Sequence, residues 1–90
     1  MVKAVVDLSR KVMAVGAELH ADEEQMLLAD GSSQENLWGI NIFPDRSDAE
    51  WIEFDSMINI RPRQNNRSRS VQDPALKEAI RVVVSSLVPS

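Results

Sequence analysis

Two acidic side chains at alternate positions of one apolar segment are the first candidates for chemistry. Glu53 and Asp55 lie in EWIEFDSMINIRP, residues 50–62. In an extended strand, residues two apart point to the same side, with Cα atoms roughly 6.5 to 7 Å apart. Two carboxylates at that spacing can act on one water molecule as base or on one ion as ligands, and His20 could supply the acid. The pattern is compatible with a phosphoryl or phosphodiester hydrolase. The sequence contains neither an HxxxH nor an HExxH motif, so no motif of this kind predicts a metal centre.

The segment that follows is rich in arginine. Residues 61–69, RPRQNNRSR, contain no acid. Guanidinium groups bind phosphate through paired hydrogen bonds, and asparagine amides can orient them. The segment leads to the start of a predicted helix, where free backbone N–H groups also favour an anion. We therefore expect a site for a phosphate or nucleotide, formed by Arg61, Arg63, Arg67 and Arg69 with Asn59 and Asn66.

Each of these patterns also has a purely structural interpretation. The arginines could fold onto the acidic body of the protein, and Glu53 and Asp55 could pair with Lys3 or Arg61 across strands. A lone histidine such as His20 is more often a hydrogen-bonded structural residue than a catalyst. The sequence leaves both interpretations open.

Charge is distributed very unevenly along the chain. Residues 18–55 contain eleven acids and one base, whereas residues 61–69 contain four of the ten bases. An acidic body with one basic loop favours a local anion site over an extended nucleic-acid surface.

Length and composition predict one domain, residues 1–90, with an ordinary globular balance of 43% apolar residues. A chain this short has a narrow stability margin, which a partner subunit would widen. No apolar run approaches the roughly 18 residues of a membrane span. The apolar segment at the amino terminus is also shorter than that of a signal peptide, so we expect a cytoplasmic protein. The absence of cysteine excludes disulfides, thiolate metal sites and cysteine nucleophiles.

The first twenty residues fit two structures. Apolar residues recur at helical spacing, at Val5, Leu8, Val12, Val15 and Leu19. The many valines and the polar segment DLSRK instead favour a hairpin with strands over residues 2–7 and 12–19. Periodicity alone does not decide between them.

The remaining elements have clearer signals. Asp22 and Gln25 resemble a capping box, and Gly31 is a stop, which predicts a helix over residues 22–30. Two alternating segments, 37–43 and 52–60, joined by PDRSDA, predict an antiparallel hairpin. Asp73 followed by Pro74 predicts the start of a closing helix with an apolar stripe at Leu76, Ile80, Val83 and Leu87.

Several segments resemble a family of small prokaryotic proteins of unknown function. AVGAELHADEEQMLL, LWGINIFP and IEFDSMINIRPRQNNRSR followed by DP are similar to the family pattern GGELHADEE, LWGINIYP and EFDSMINIRPSQGNRSRGVEDP. The resemblance runs from about Val2 to about Val84 and implies the hairpin at the amino terminus. Arg63, Asn65 and Ser70 replace a serine and two glycines of the pattern, which makes this loop more basic and less free in its backbone. The resemblance brings no reaction, cofactor or substrate with it.

These elements predict an α+β fold, a two-layer ββαββα domain with a four-stranded antiparallel sheet and two helices on one face. The helices would cover the more apolar side and leave a shallow polar trough on the other. That open side would carry His20, Asn41, Glu53, Asp55, Asn59 and Arg61.

Exposed apolar residues on the same side, Leu37, Phe43, Trp51 and Met57, or a free sheet edge, predict a homodimer. The leading functional hypothesis is an anion-binding or interaction module, and the alternative is the hydrolase.

Overall fold

The computed structural model describes residues 1–47 and 49–88 of the chain. These residues form, in order, β1 (Val2–Asp7), β2 (Val12–Val15), α1 (His20–Ala29), β3 (Leu37–Ile42), β4 (Ile52–Glu53) and α2 (Pro74–Leu87). The strands make one antiparallel sheet in the order β2-β1-β3-β4. The predicted ββαββα order and the four-stranded antiparallel sheet are confirmed.

The amino-terminal residues form the hairpin and not a helix. Ala4 pairs with Val15 and Asp7 with Val12. The second strand ends at Val15, earlier than the predicted residue 19, because Gly16 has a φ of 91° and turns the chain away. The hairpin is therefore short, and the segment 16–19 leads directly into α1.

The two helices pack on opposite faces of the sheet, whereas we expected both on one face. Val5, Ala14 and Leu37 pack with Leu27 of α1 in one core cluster. The other cluster joins Val6, Trp38 and Ile40 to the α2 residues Ile80, Val83 and Val84. The reason is that the inward side of α1 is only partly apolar: Glu23 and Glu24 are buried there beside Leu27. This helix covers the more polar side of the sheet and leaves the apolar side to α2.

The ends of the helices illustrate the strength of the local signals. Asp73 caps α2 by accepting a hydrogen bond from the N–H of Ala75 at 2.9 Å, and Pro74 occupies the first turn, as predicted. The predicted capping box of α1 is wrong: this helix begins at His20, and the preceding Leu19 makes no side-chain cap. Gly31, with a φ of 102°, follows its end.

The strand predicted over residues 52–60 has only two paired residues, Ile52 and Glu53. Ser56 then caps a 3-10 turn, Met57–Asn59, by accepting from the N–H of Ile58. This turn packs directly on Gly39 of β3, where a Cβ atom would lie 2.6 Å from both Cβ and Oγ of Ser56. The alternation of apolar and polar residues in the sequence therefore extends beyond the end of β4 at Glu53. Ile60, which this alternation assigns to the core, is exposed.

Among the described residues, none of the helices combines the length and the apolar character required to cross a bilayer.

Candidate functional site

Asn59 completes the outer edge of β3 beyond the point where β4 ends. Its Oδ1 accepts from the N–H of Gly39 at 2.8 Å, and its Nδ2 donates to the C=O of Gly39 at 2.9 Å. Nδ2 also donates to the C=O of Arg69 at 3.0 Å. A carboxamide that both donates to and accepts from one residue reproduces the pairing of a neighbouring strand. Asn59 is fully buried, so this role is structural.

Arg61 is held in the interior by backbone carbonyl groups. Its Nε donates to the C=O of Ile58 at 3.0 Å, one Nη donates to that of Gln34 at 2.6 Å, and the other donates to that of Leu37. The guanidinium carbon lies 4.6 Å from the centroid of the Trp38 ring, and 9% of the side chain is exposed.

Burial lowers the pKa of Arg61 from its ordinary value, and the nearby carboxylate of Glu24, 3.9 Å away, opposes this shift. Because a guanidinium group starts from a very high pKa, it stays charged. Three of its N–H groups are already used on carbonyl oxygens, so its main contribution is to anchor the residue where the arginine loop begins.

The arginine loop, residues 61–69, is braced from within by Asn66. Asn66 is buried, and its Nδ2 donates to the carbonyl groups of Asn59 at 2.7 Å and Ser70 at 2.8 Å. Its Oδ1 accepts from the N–H of Gln72 at 2.9 Å. The backbone groups of Arg61 and Asn66 also pair with each other, which closes the base of the loop. The loop therefore has a fixed shape without belonging to the sheet.

Two arginines of this braced loop face solvent, Arg63 in its 3-10 turn and Arg67 just after the Arg61–Asn66 bridge. Arg63 and Arg67 are both exposed, and within residues 1–47 and 49–88 their guanidinium groups have no hydrogen-bond or ion-pair partner. Asn65 between them has left-handed backbone geometry, with a φ of 59°. Asparagine tolerates this conformation, so the glycine of the family pattern is not required here.

Arg69 has a different environment at the edge of the loop. Its Nε donates to Oδ1 of Asp55 at 2.8 Å, and an Nη donates to Oδ2 at 3.4 Å. Both side chains remain about half exposed, at 56% and 42%. This bidentate pair fixes Arg69 beside the loop and uses both oxygens of one of the two candidate carboxylates.

The prediction of an open polar trough on one side of the sheet is wrong, because α1 and the 3-10 turn cover that side. Ile58 and the α1 residues Leu27 and Leu28 belong to the same cluster as Leu37 and Val5. Asn59 and Arg61, expected on an open surface, lie beneath this layer. The cause is again the inward side of α1, whose acids suit a polar sheet face.

The three predicted catalytic residues have separate partners. Glu53 accepts from Nδ2 of Asn41 at 2.8 Å, Asp55 pairs with Arg69, and Nε2 of His20 hydrogen-bonds to the C=O of Ile40 at 2.8 Å. No hydrogen bond connects these three side chains to one another among the described residues. Within the same part of the chain, no group of three or more histidine or acidic residues could hold a metal ion.

Sequence reasoning missed Glu23 as a titratable group. Glu23 is fully buried in α1, and its Oε2 accepts from the N–H of Ala17 at 3.1 Å, whereas Oε1 has no hydrogen-bond partner among the described residues. Desolvation raises its pKa from 4.5 to about 7, against the opposing effects of the Ala17 hydrogen bond and of Lys3. The available signal was the spacing of His20, Glu23, Glu24 and Leu27, which lie on one side of a helix.

Comparison with known families gives one match. The model of a family described as a protein of unknown function, DUF5674, matches residues 1–87. Neither curated proteins nor solved structures gave a match.

Proposed function

Since the chain belongs to the DUF5674 family of proteins of unknown function, we propose that it is a binding module that takes a phosphate-containing anion at its arginine loop. Arg63 and Arg67 make the charged contacts, and Arg69 adds a third guanidinium group at the margin. Arg61, Asn59 and Asn66 act from beneath, by holding the loop in shape.

One observation carries this proposal: two guanidinium groups that have no partner among the described residues belong to a loop whose backbone is already fixed. A preformed loop loses little conformational entropy when a ligand binds, so more of the contact energy is available for affinity. Guanidinium groups also match the geometry of phosphate oxygens. The loop, and not the start of α2, is the favoured position, because the carboxylate of Asp73 already caps that helix.

The charge pattern favours a short ligand over a long polyanion. The eleven acids between residues 18 and 55 give the part of the chain before the loop a strong excess of negative charge. An extended nucleic acid would pass over some of this acidic surface and be repelled, whereas a pyrophosphate group would remain within reach of the loop.

Binding is tested by thermal denaturation of the protein with inorganic phosphate, pyrophosphate or ADP. A ligand present at ten times its Kd stabilises the folded state by about 1.4 kcal/mol. We expect pyrophosphate or ADP to raise the Tm of the parent chain, and the double variant Arg63→Ala, Arg67→Ala to lose that increase.

The matched control is Arg46→Ala, Arg81→Ala, which removes two guanidinium groups outside the loop, an exposed one at Arg46 and a partly buried one at Arg81. These groups lie over Phe43 and Phe54 respectively. The control should keep the ligand-induced increase in Tm. No response of the parent chain to any of the three anions, or an equal loss in the control, would refute the proposal.

The hydrolase with Glu53 and Asp55 as base and His20 as acid stays a prediction with less support. Its carboxylates make hydrogen bonds to Asn41 and Arg69, and no hydrogen bond joins these described side chains to His20. The hydrolase prediction would gain support if the protein hydrolysed a phosphate ester and this activity were lost in Asp55→Asn but retained in Arg69→Lys.

The predicted homodimer is the second part of the proposal. The exposed apolar residues expected to form its interface are only partly available: Leu37 is buried, whereas 64% of Met57 is exposed. A free sheet edge is therefore the better supported of the two predicted surfaces.

A further inference from the structure

Strand β2 ends the sheet on one side with unpaired backbone groups. Gly16 donates its N–H to the C=O of Lys3, so residues 12, 14 and 16 point their backbone groups toward β1. The backbone groups of Met13 and Val15 consequently point away from the sheet. No strand pairs with this side of β2 among the residues that the structure describes.

The opposite edge of the sheet is finished by the protein itself. Beyond the two residues of β4, Asn59 bonds both backbone groups of Gly39, and Arg61 bonds the C=O of Leu37. Strand β2 has no comparable protection: its residues, VMAV, include no charge and no proline. An uncharged edge with free N–H and C=O groups is a template for another strand.

We infer that β2 pairs antiparallel with β2 of a second copy of this chain, so that two sheets become one continuous eight-stranded sheet. The inference rests on the homodimer part of the proposed function and is independent of the anion site. It adds the interface, the register and the residues at the two-fold axis.

The backbone fixes one register for this pairing. Hydrogen-bonded pairs must join outward-facing residues, which leaves Met13 with Met13, Val15 with Val15, or Met13 with Val15. The first would bring Val15 opposite Lys11, whose N–H already bonds the C=O of Asp7. The second would bring Met13 opposite Ala17, whose N–H already bonds Glu23. Only the pairing of Met13 with Val15 gives partners to the outward groups of both copies, with Ala14 at the two-fold axis.

Apolar side chains border this edge and enlarge the surface that the pairing would bury. Val15 is 50% exposed, Leu19 just before α1 is 56% exposed, and Met26 of α1 is 58% exposed. Met26 is three residues from Glu23 on α1, so the two are neighbours on the helix surface. The carboxylate of Glu23 contacts Ala17 just after β2, which brings this part of α1 close to the β2 edge. In the continuous sheet the two copies of α1 would lie side by side across the axis, so that these residues leave water together.

Charges outside the strand are complementary in the same register. Lys11 would lie opposite Ala17 of the second copy, next to Glu18. Both Lys11 and Glu18 are exposed, and neither has an ion-pair partner elsewhere in residues 1–47 and 49–88. The two-fold axis forms this contact twice.

The test is the mass of the full chain in solution, measured by sedimentation equilibrium over a range of concentrations. The parent chain should be a dimer at high concentration. Val15→Lys places a charge in the interface without affecting a buried site, and we expect it to raise the dimer dissociation constant at least tenfold. The matched control is Val82→Lys, an equally exposed valine, at 61%, on the outer side of α2, which should leave the dissociation constant unchanged.

A charge exchange provides an independent check on the register. Glu18→Lys should weaken the dimer because it would face Lys11 of the second copy, and adding Lys11→Asp should restore part of the loss. Circular dichroism should show that all variants remain folded, since each altered residue is exposed.

The possible outcomes distinguish the β2 interface from the homodimer itself and from the anion site. A dimer that Val15→Lys and Val82→Lys affect equally would overturn the β2 interface and leave the homodimer standing. A parent chain that is monomeric at every concentration would overturn both. Neither result depends on whether pyrophosphate or ADP binds, because those measurements address the arginine loop alone.

Discussion

Arg61 and Arg63 are separated by one proline in the sequence, but their environments are opposite. Arg61 is buried, bonds three carbonyl groups and lies against Trp38. Arg63 is exposed, and its guanidinium group has no partner within the described part of the chain. The same residue type therefore stabilises the fold at one position and remains available to a ligand two residues later. Burial, and not arginine content, separates the structural half of the loop from the half proposed to bind.

The largest expected change in the free energy of unfolding follows from replacing Asn59, which joins the structural half of the loop to the sheet. Asn59→Ala leaves the N–H and C=O groups of Gly39 and the C=O of Arg69 without their partner. Each unsatisfied buried backbone group costs about 1 to 3 kcal/mol, so we expect the free energy of unfolding to fall by roughly 3 to 5 kcal/mol. Urea denaturation measures this loss.

Asn65→Gly is the control for that variant, because Asn65 is exposed and glycine tolerates its left-handed backbone. Its free energy of unfolding should stay within about 0.5 kcal/mol of the parent. Equal stability of Asn59→Ala and Asn65→Gly would show that the carboxamide of Asn59 does not replace a strand.

A smaller effect is expected when the two arginines are each replaced by lysine. Arg61→Lys keeps the charge but cannot reach three separate carbonyl groups, so we expect a loss of about 2 to 3 kcal/mol. Arg63→Lys should change the stability by less than about 0.5 kcal/mol, because its side chain is exposed and has no partner in the described part of the chain. Similar values for both variants would remove the distinction between the two halves of the loop.

The smallest effect concerns Glu23, a buried group that depends on pH. Its raised pKa means that the folded state favours the protonated acid, so Glu23 contributes stability that is fully present below about pH 4.5 and is lost as the pH rises through about 7. Glu23→Gln removes this dependence. Between about pH 5 and pH 8 the variant should gain roughly 1 to 2 kcal/mol relative to the parent chain.

Glu35→Gln is the matched control, since Glu35 is an exposed glutamate between α1 and β3. Its stability relative to the parent chain should not change with pH over this interval. A parallel pH dependence of the parent chain and Glu23→Gln would contradict the assignment of the raised pKa to Glu23.

The parts of the fold that were predictable have local causes. The start of α2 follows from Asp73 and Pro74. Ile80 and Val83 of its predicted apolar stripe are buried, whereas Leu87 is exposed and Val84 is buried instead. The hairpin β1–β2 required the family resemblance, because valine spacing fits a helix as well as a strand.

The errors have long-range causes that no local pattern contains. Strand β4 stops early because Asn59 replaces it against Gly39, twenty residues away in sequence. Helix α1 covers the polar side of the sheet because its inward side carries Glu23 and Glu24, and amphipathicity rules assign such residues to solvent. Arg61 was expected in an open site for the same reason. Charged residues are rarely buried, and a sequence does not reveal around which of them the fold places backbone carbonyl acceptors.

The most direct test of the difference between the buried and exposed arginines is an NMR spectrum of the arginine Nε–H groups, recorded while pyrophosphate is added. The Arg61 signal should exchange slowly with water and keep its position, because its Nε donates to the C=O of Ile58. The signals of Arg63 and Arg67 should exchange rapidly and shift in a saturable way. Rapid exchange at Arg61, or no saturable shift at Arg63 and Arg67, would contradict the account.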